Sequence, residues 1–296
     1  MMSRLLSVVK GHPLITFFVL AYALSWIIES PLVFLGDSVN DIQELVIRAL
    51  ASNVPSALGI VLTAIVLGRA SVRKLLGRLL IWRVNPIWYL VVFLGPAALV
   101  GGVVLLNTLV GGPALSVGMP LLGVAITFAI SIFPGSALGE EIGWRGYVLP
   151  RMQSRMSALS ASLLLAPFWA LWHLPLFVAG WLQGTQSLAL YPAFFVSTFA
   201  FSVILTWVYN STGGSLLLVV LLHATVNLPL SVAGNLGTQA MVPVFLYFGL
   251  EIVVAIVVVI WAGPKHLSRK HRKQEMEGVA EPVVATPPGV VKPTPA

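Results

Sequence analysis

Residues 86–110 read P-I-W-Y-L-V-V-F-L-G-P-A-A-L-V-G-G-V-V-L-L-N-T-L-V, without one charged side chain. A helix of ~20 apolar residues crosses a ~30 Å hydrocarbon core, and this run is long enough to do so. Arg69, Arg73, Lys74, Arg78 and Arg83 stand just before it, while the segment after it carries no charge. An apolar run with basic residues at one end only is the pattern from which the fold follows.

Seven further apolar runs lie at 13–36, 44–68, 118–140, 158–180, 190–210, 214–232 and 241–262. Prolines inside them are compatible with membrane helices, because neighbouring helices can satisfy the freed carbonyls. The chain has 296 residues, 58% hydrophobic and 9% charged. Soluble domains carry about 25% charged residues, so the apolar excess here must face lipid. The expected fold is an all-α polytopic membrane protein, a bundle of about eight transmembrane helices enclosing a polar cavity, over residues 1–262. The first run, with a basic start and small residues near Ala21 and Ala23, is read as a retained helix rather than a cleaved signal. There is no cysteine, which excludes disulfides and thiolate metal sites.

The net charge of +7 would suit nucleic acid if it formed a soluble basic face. It does not, so no nucleic-acid partner is expected. Arg4 and Lys10 precede the first run, and Asp37 and Asp41 follow it. The 69–83 cluster comes next, then an uncharged loop, then Arg145, Arg151 and Arg155. The tail brings Lys265, Arg269, Lys270, Arg272 and Lys273. Basic residues therefore recur on alternate sides, with Arg48 the exception. By the positive-inside rule, the N-terminus, the 69–85 loop, the 141–157 segment and the C-terminus face the cytoplasm. The expected location is the plasma membrane of a prokaryotic cell, with the lipid bilayer as surrounding partner. Residues 263–296, basic and then rich in Pro, Val and Thr, read as a disordered cytoplasmic tail.

Ionisable groups within membrane runs are costly and so point to function. They are Glu29, Glu140, Glu141, His173, His223 and Glu251. Glu140, Glu141 and Arg145 form E-E-I-G-W-R at 140–145. Glu141 and Arg145, four apart, share a helix face and can pair, leaving Glu140 free to face a cavity. One carboxylate held ionised by arginine beside a second, partly desolvated one is an arrangement that can activate water. His173 ends P-F-W-A-L-W-H, with Trp169 one turn before it. His223 and Asn227 lie in H-A-T-V-N, again four apart, where the amide can orient the imidazole or meet an oxyanion. Each taken singly also reads as a salt bridge, a satisfied histidine or an interhelical clamp. One shared polar site explains all of them together. Glu140, His173 and His223 would also serve as a zinc set with an open position, although this is not the H-E-x-x-H arrangement on one helix. Glu29 and Glu251 attach to no motif and read as structural, with a place in the cavity wall open to Glu251.

These three elements, in this order, resemble the motifs of the CAAX protease and bacteriocin-processing family: Glu-Glu-x-x-x-Arg, Phe-x-x-x-His and His-x-x-x-Asn or Asp. The resemblance covers roughly residues 120–232, with Trp169 in the usual Phe position. It implies an eight-helix intramembrane endopeptidase of the type II CAAX prenyl endopeptidase kind. By that resemblance Glu140 activates water and His173 positions it. By the same resemblance His223 and Asn227 stabilise the oxyanion or help hold that water, and Glu141 and Arg145 support Glu140. It also implies a membrane-associated peptide or protein substrate, in some members lipidated, and either zinc-bound or metal-free water. The alternatives are a non-catalytic scaffold or immunity protein, and a proton-coupled transporter using the same residues as a relay. Counting along the helices puts Glu140 at the cytoplasmic end of its span and His173 roughly 20 Å deep in its own. The expectation is thus a deep chamber reached from the cytoplasm.

Overall fold

The computed structural model describes residues 2–112, 115, 120–181, 187–233 and 241–269, and no strand occurs among them. Helix α1 (Met2–Gly11) leads into α2 (Pro13–Leu35), followed by α3 (Asp41–Leu67) and the short α4 (Arg69–Gly77). Next come α5 (Ile87–Leu109), α6 (Leu121–Ile132) and α7 (Ser136–Glu141). A π-helical stretch (Ile142–Val148) joins α7 to α8 (Leu149–Gln153). The remainder is α9 (Ala158–Trp172), α10 (Leu174–Val178), α11 (Ser187–Ser211), α12 (Leu216–Ala233) and α13 (Met241–Ala262). Six segments are long and apolar enough to cross a membrane when Leu121–Gln153 is taken as one, and Ala158–Trp172 and Leu216–Pro229 are shorter apolar helices. The chain is a polytopic helical membrane protein, and each of the eight apolar runs is a helical segment.

One span differs from expectation. The run 118–140 is expected to end at Glu140, with 141–157 as a cytoplasmic segment. Instead the chain stays helical to Gln153, and residues 142–152 are buried. The charges that depress hydropathy there are met internally. Arg145 pairs with Glu141. Arg151 donates to the Tyr147 carbonyl at 2.7 Å and lies 3.6 Å from the centre of that residue's ring. Each buried cation thus has a partner within the protein, although Nε and Nη2 of Arg145 make no hydrogen bond.

The break in this span lies higher up, between Ile132 and Ser136, at Pro134 and Gly135. Proline removes a donor, and irregular backbone at membrane depth must be satisfied by protein. Polar residues of α3 do this. Asn53 donates to the Pro134 carbonyl at 3.2 Å, Ser52 to that of Gly135 at 3.4 Å, and Ser56 to that of Leu138 at 2.8 Å. Three glycines let the backbones approach. A Cβ on Gly139 would lie 2.6 Å from the Ser52 carbonyl oxygen, one on Gly143 would strike the Pro55 carbonyl, and one on Gly59 would lie 3.1 Å from Gly143 Cα. This is the small-residue packing of membrane helices. It fixes the two carboxylates between Gly139 and Gly143 against α3.

The basic segments gather at one end of the bundle. There Arg78 donates to the Tyr209 hydroxyl, and Ser215 donates to the Ile81 carbonyl at 2.7 Å. Ala158 N–H meets the Lys265 carbonyl at 3.0 Å, and Asn210 donates to that of His266 at 2.7 Å. The tail expected to begin near residue 263 is therefore docked at its start, where Leu267 is fully buried. The disorder expected for 270–296 falls outside the described residues.

Candidate active site

Glu140 and Glu141 leave α7 in different directions, as neighbours on a helix must. Glu141 is fully buried and points into the bundle. Its Oε1 accepts from Arg145 Nη1 at 3.0 Å and from His223 Nδ1 at 2.6 Å. One carboxylate oxygen thus ties α7, the π-helical stretch and α12 together. Glu140 lines a cavity of about 480 Å³. Its Oε2 accepts from the Trp169 indole N–H at 2.6 Å.

Trp169 is the hub of the site. Besides holding Glu140, its ring lies 4.2 Å from the Arg145 guanidinium carbon, a cation–π geometry. Its edge contacts with His173 and His223 each have a centroid separation of 5.6 Å. Its carbonyl accepts from His173 Nδ1 at 2.8 Å. The last turns of α9 are pinned from outside as well. Tyr22 and Trp26 of α2 donate to the Phe168 and Trp172 carbonyls at 2.5 and 3.1 Å, and Tyr191 of α11 donates to Ala170 at 3.2 Å. Of these acceptors, Trp172 is the last residue of α9, where a helix leaves carbonyls open.

The hydrogen bonds fix the histidine tautomers. A backbone carbonyl only accepts, so His173 carries its proton on Nδ1, and Nε2 holds the lone pair of the neutral ring. His223 likewise donates its Nδ1–H, here to the Glu141 carboxylate. Both residues line the cavity with Glu140, Trp169 and Asn227. Asn227 Nδ2 donates to Ser136 Oγ at 2.9 Å, across to the start of α7.

The shared site expected from the sequence is thus assembled, with differences in detail. Glu140, His173, His223 and Asn227 face one cavity, while Glu141 and Arg145 stand behind its wall. The orienting partner of His223 is Glu141 and not Asn227, because the carboxylate reaches Nδ1 while the amide turns to Ser136. Glu29 and Glu251, expected to be structural, are 1% and 3% exposed and line the same cavity. Their signal was their presence in apolar runs; no spacing linked them to the motifs. Ser136 and the indole N–H of Trp169 carried no signal at all.

A carboxylate with one oxygen fixed, two imidazoles and an amide around a polar cavity can hold and activate a water molecule. The same residues carry a second relationship. Residues 120–229 match the family model of the Rce1-like type II CAAX prenyl endopeptidases. This segment is similar to that family over just over a third of the chain. Over 97 residues the chain is 39% identical to CAAX prenyl protease 2 of Methanococcus maripaludis, covering 31% of this chain and 36% of that one. The matched region therefore spans about a third of the curated relative's length.

The matched segment brings Glu140, His173, His223 and Asn227 from α7, α9 and α12 into one place. Among the described residues no three His, Asp or Glu side chains are grouped to hold a metal ion.

Proposed function

We propose that this protein is an intramembrane endopeptidase of the type II CAAX prenyl endopeptidase kind. It hydrolyses a peptide bond with water activated by Glu140. The observation that supports this best is the hydrogen bond from Trp169 to Glu140, which fixes one oxygen of a cavity-lining carboxylate between two cavity-lining histidines. The Rce1-like match over 120–229 supports the same chemistry.

In this mechanism a water lies between Glu140 and Nε2 of His173. Glu140 takes a proton from it as the oxygen attacks the peptide carbonyl, forming the new C–O bond. The oxyanion accepts hydrogen bonds from His223 and the Asn227 amide, with Glu141 balancing charge on the imidazole. Glu140 then passes its proton to the leaving nitrogen as the C–N bond breaks. Positioned acid–base groups of this kind contribute about 10²–10⁴-fold each, and one oxyanion donor about 10²–10³-fold. The substrate is a membrane-embedded peptide, in the lipidated form where the CAAX kinship extends that far.

The test is cleavage of a peptide library by purified protein in lipid nanodiscs, with Glu140→Gln and His223→Ala beside wild type. Loss of cleavage in both variants, with folding intact, is expected. Unchanged turnover in either overturns the assignment. A chelator arm addresses zinc directly: stoichiometric metal lost together with activity would move the water onto a metal.

A second reading has one observation in its favour. Glu29, Glu140 and Glu251 share the cavity with both histidines, as a proton relay would require. A pH-driven flux in proteoliposomes, lost in Glu140→Gln, would select that reading.

A further inference from the structure

We propose, resting on the peptidase reading, that Glu251 is a substrate-binding residue. It takes a basic side chain of the peptide, a few residues from the scissile bond.

Glu251 sits near the middle of α13, between Met241 and Ala262. A carboxylate at that depth is costly and calls for a partner. Glu251 is almost fully buried and lines the cavity, yet it makes no hydrogen bond or ion pair among the described residues. Tyr247, one turn before it, has a buried hydroxyl that is itself without a hydrogen-bond partner, so it does not donate to Glu251. The arginines are engaged elsewhere. Arg48, on the cavity wall, pairs with Glu44 at 2.5 Å, and Arg145 pairs with Glu141 at 3.0 Å. Among the described lining residues three carboxyl groups, those of Glu29, Glu140 and Glu251, stand against this one arginine. A cavity lined by an excess of one charge draws in the opposite one.

The surroundings of Glu251 fit an organic cation rather than a metal ion. No three His, Asp or Glu side chains among the described residues are grouped for a metal. Aromatic rings are close instead. Phe248 is three residues before Glu251, so the two share a helix face. It lines the cavity and packs on Phe194, with 6.4 Å between centroids. Phe194 in turn lies 5.2 Å from the His173 ring and 6.0 Å from that of Trp181. Aromatic rings beside a carboxylate suit an ammonium or guanidinium head, and they cover the apolar stem that carries it. The same contacts set the distance. Two ring steps lead from His173 to Phe248, so the subsite lies a few residues of extended chain, at ~3.3 Å each, from the bond attacked. Glu251 is outside the 120–229 segment that matches the family model, so that match assigns it no role.

The probes are N-terminally acetylated peptides of one sequence, with lysine or norleucine placed in turn at successive positions. Acetylation removes the α-ammonium as a second source of positive charge. Wild-type protein in nanodiscs is expected to cleave one lysine peptide with a KM about 10–100-fold below that of its norleucine partner, and Glu251→Gln to level the pair. Glu251→Lys is expected to turn the preference toward glutamate at that position. Equal KM for every pair in wild type overturns the inference, and so does a lysine preference that survives in Glu251→Gln. Binding of the same peptides to Glu140→Gln protein, followed by fluorescence anisotropy, reads the preference without turnover. Equal affinities there overturn the inference as well. A lysine preference in binding with no cleavage by wild type refutes the peptidase reading alone, whereas cleavage without any preference refutes the subsite alone.

Discussion

Replacing Glu141 by Gln separates the two adjacent carboxylates by what each one supports. Glu141 Oε1 is the acceptor for both Arg145 and His223, and Glu141 and Arg145 are fully buried. The variant leaves the Arg145 guanidinium desolvated with no ionised partner on that side, keeping only the Trp169 ring face at 4.2 Å. Removing one member of a buried pair costs about 3–5 kcal/mol. At about 2–4 °C per kcal/mol for a chain of this size, the unfolding midpoint should fall by roughly 10 °C. Glu140→Gln removes charge from a cavity-lining residue and keeps an oxygen to accept from Trp169, so its cost should be about 1 kcal/mol or less. The assay is thermal unfolding in detergent, followed by intrinsic fluorescence of the nine tryptophans. Equal midpoints for Glu141→Gln and wild type would refute the view that this carboxylate is the electrostatic anchor of the site.

Other outcomes follow from the same contacts. Trp169→Phe keeps a ring against Arg145 and both histidines but deletes the donor to Glu140; losing a bond to a charged group, about 1.5–3 kcal/mol, should lower kcat by roughly 10–100-fold with KM little changed. Gly143→Ala drives a methyl into the Pro55 carbonyl of α3 and should destabilise by about 1–3 kcal/mol, read as a lower unfolding midpoint. Asn227→Ala should cut turnover by about 10²-fold while moving the midpoint little, since its hydrogen bond to Ser136 is a neutral one worth about 1 kcal/mol; a large stability loss with full turnover would mark it as a structural clamp.

The membrane fold was legible because transfer into lipid is a local property. Each apolar run carries its own free energy of insertion, whatever it packs against, so eight runs and one-sided arginines could be read directly. The pairing of Glu141 with Arg145 was equally local, set by helical spacing. The same reasoning failed at residues 142–152, where hydropathy counted Arg145 and Arg151 as solvated. Burial there depends on Glu141 and on the Tyr147 carbonyl and ring, which a window of hydropathy does not weigh.

Sequence by itself therefore determined the spans, the single basic end and the order of the three motifs. Only the tertiary structure decided that Trp169 holds Glu140, that Glu141 rather than Asn227 orients His223, and that Glu29 and Glu251 share the cavity. The reason is physical: insertion is additive along one chain, whereas a polar partner inside the bundle is chosen by which helices pack. Here that packing is set by small contacts such as Gly139 and Gly143 against α3.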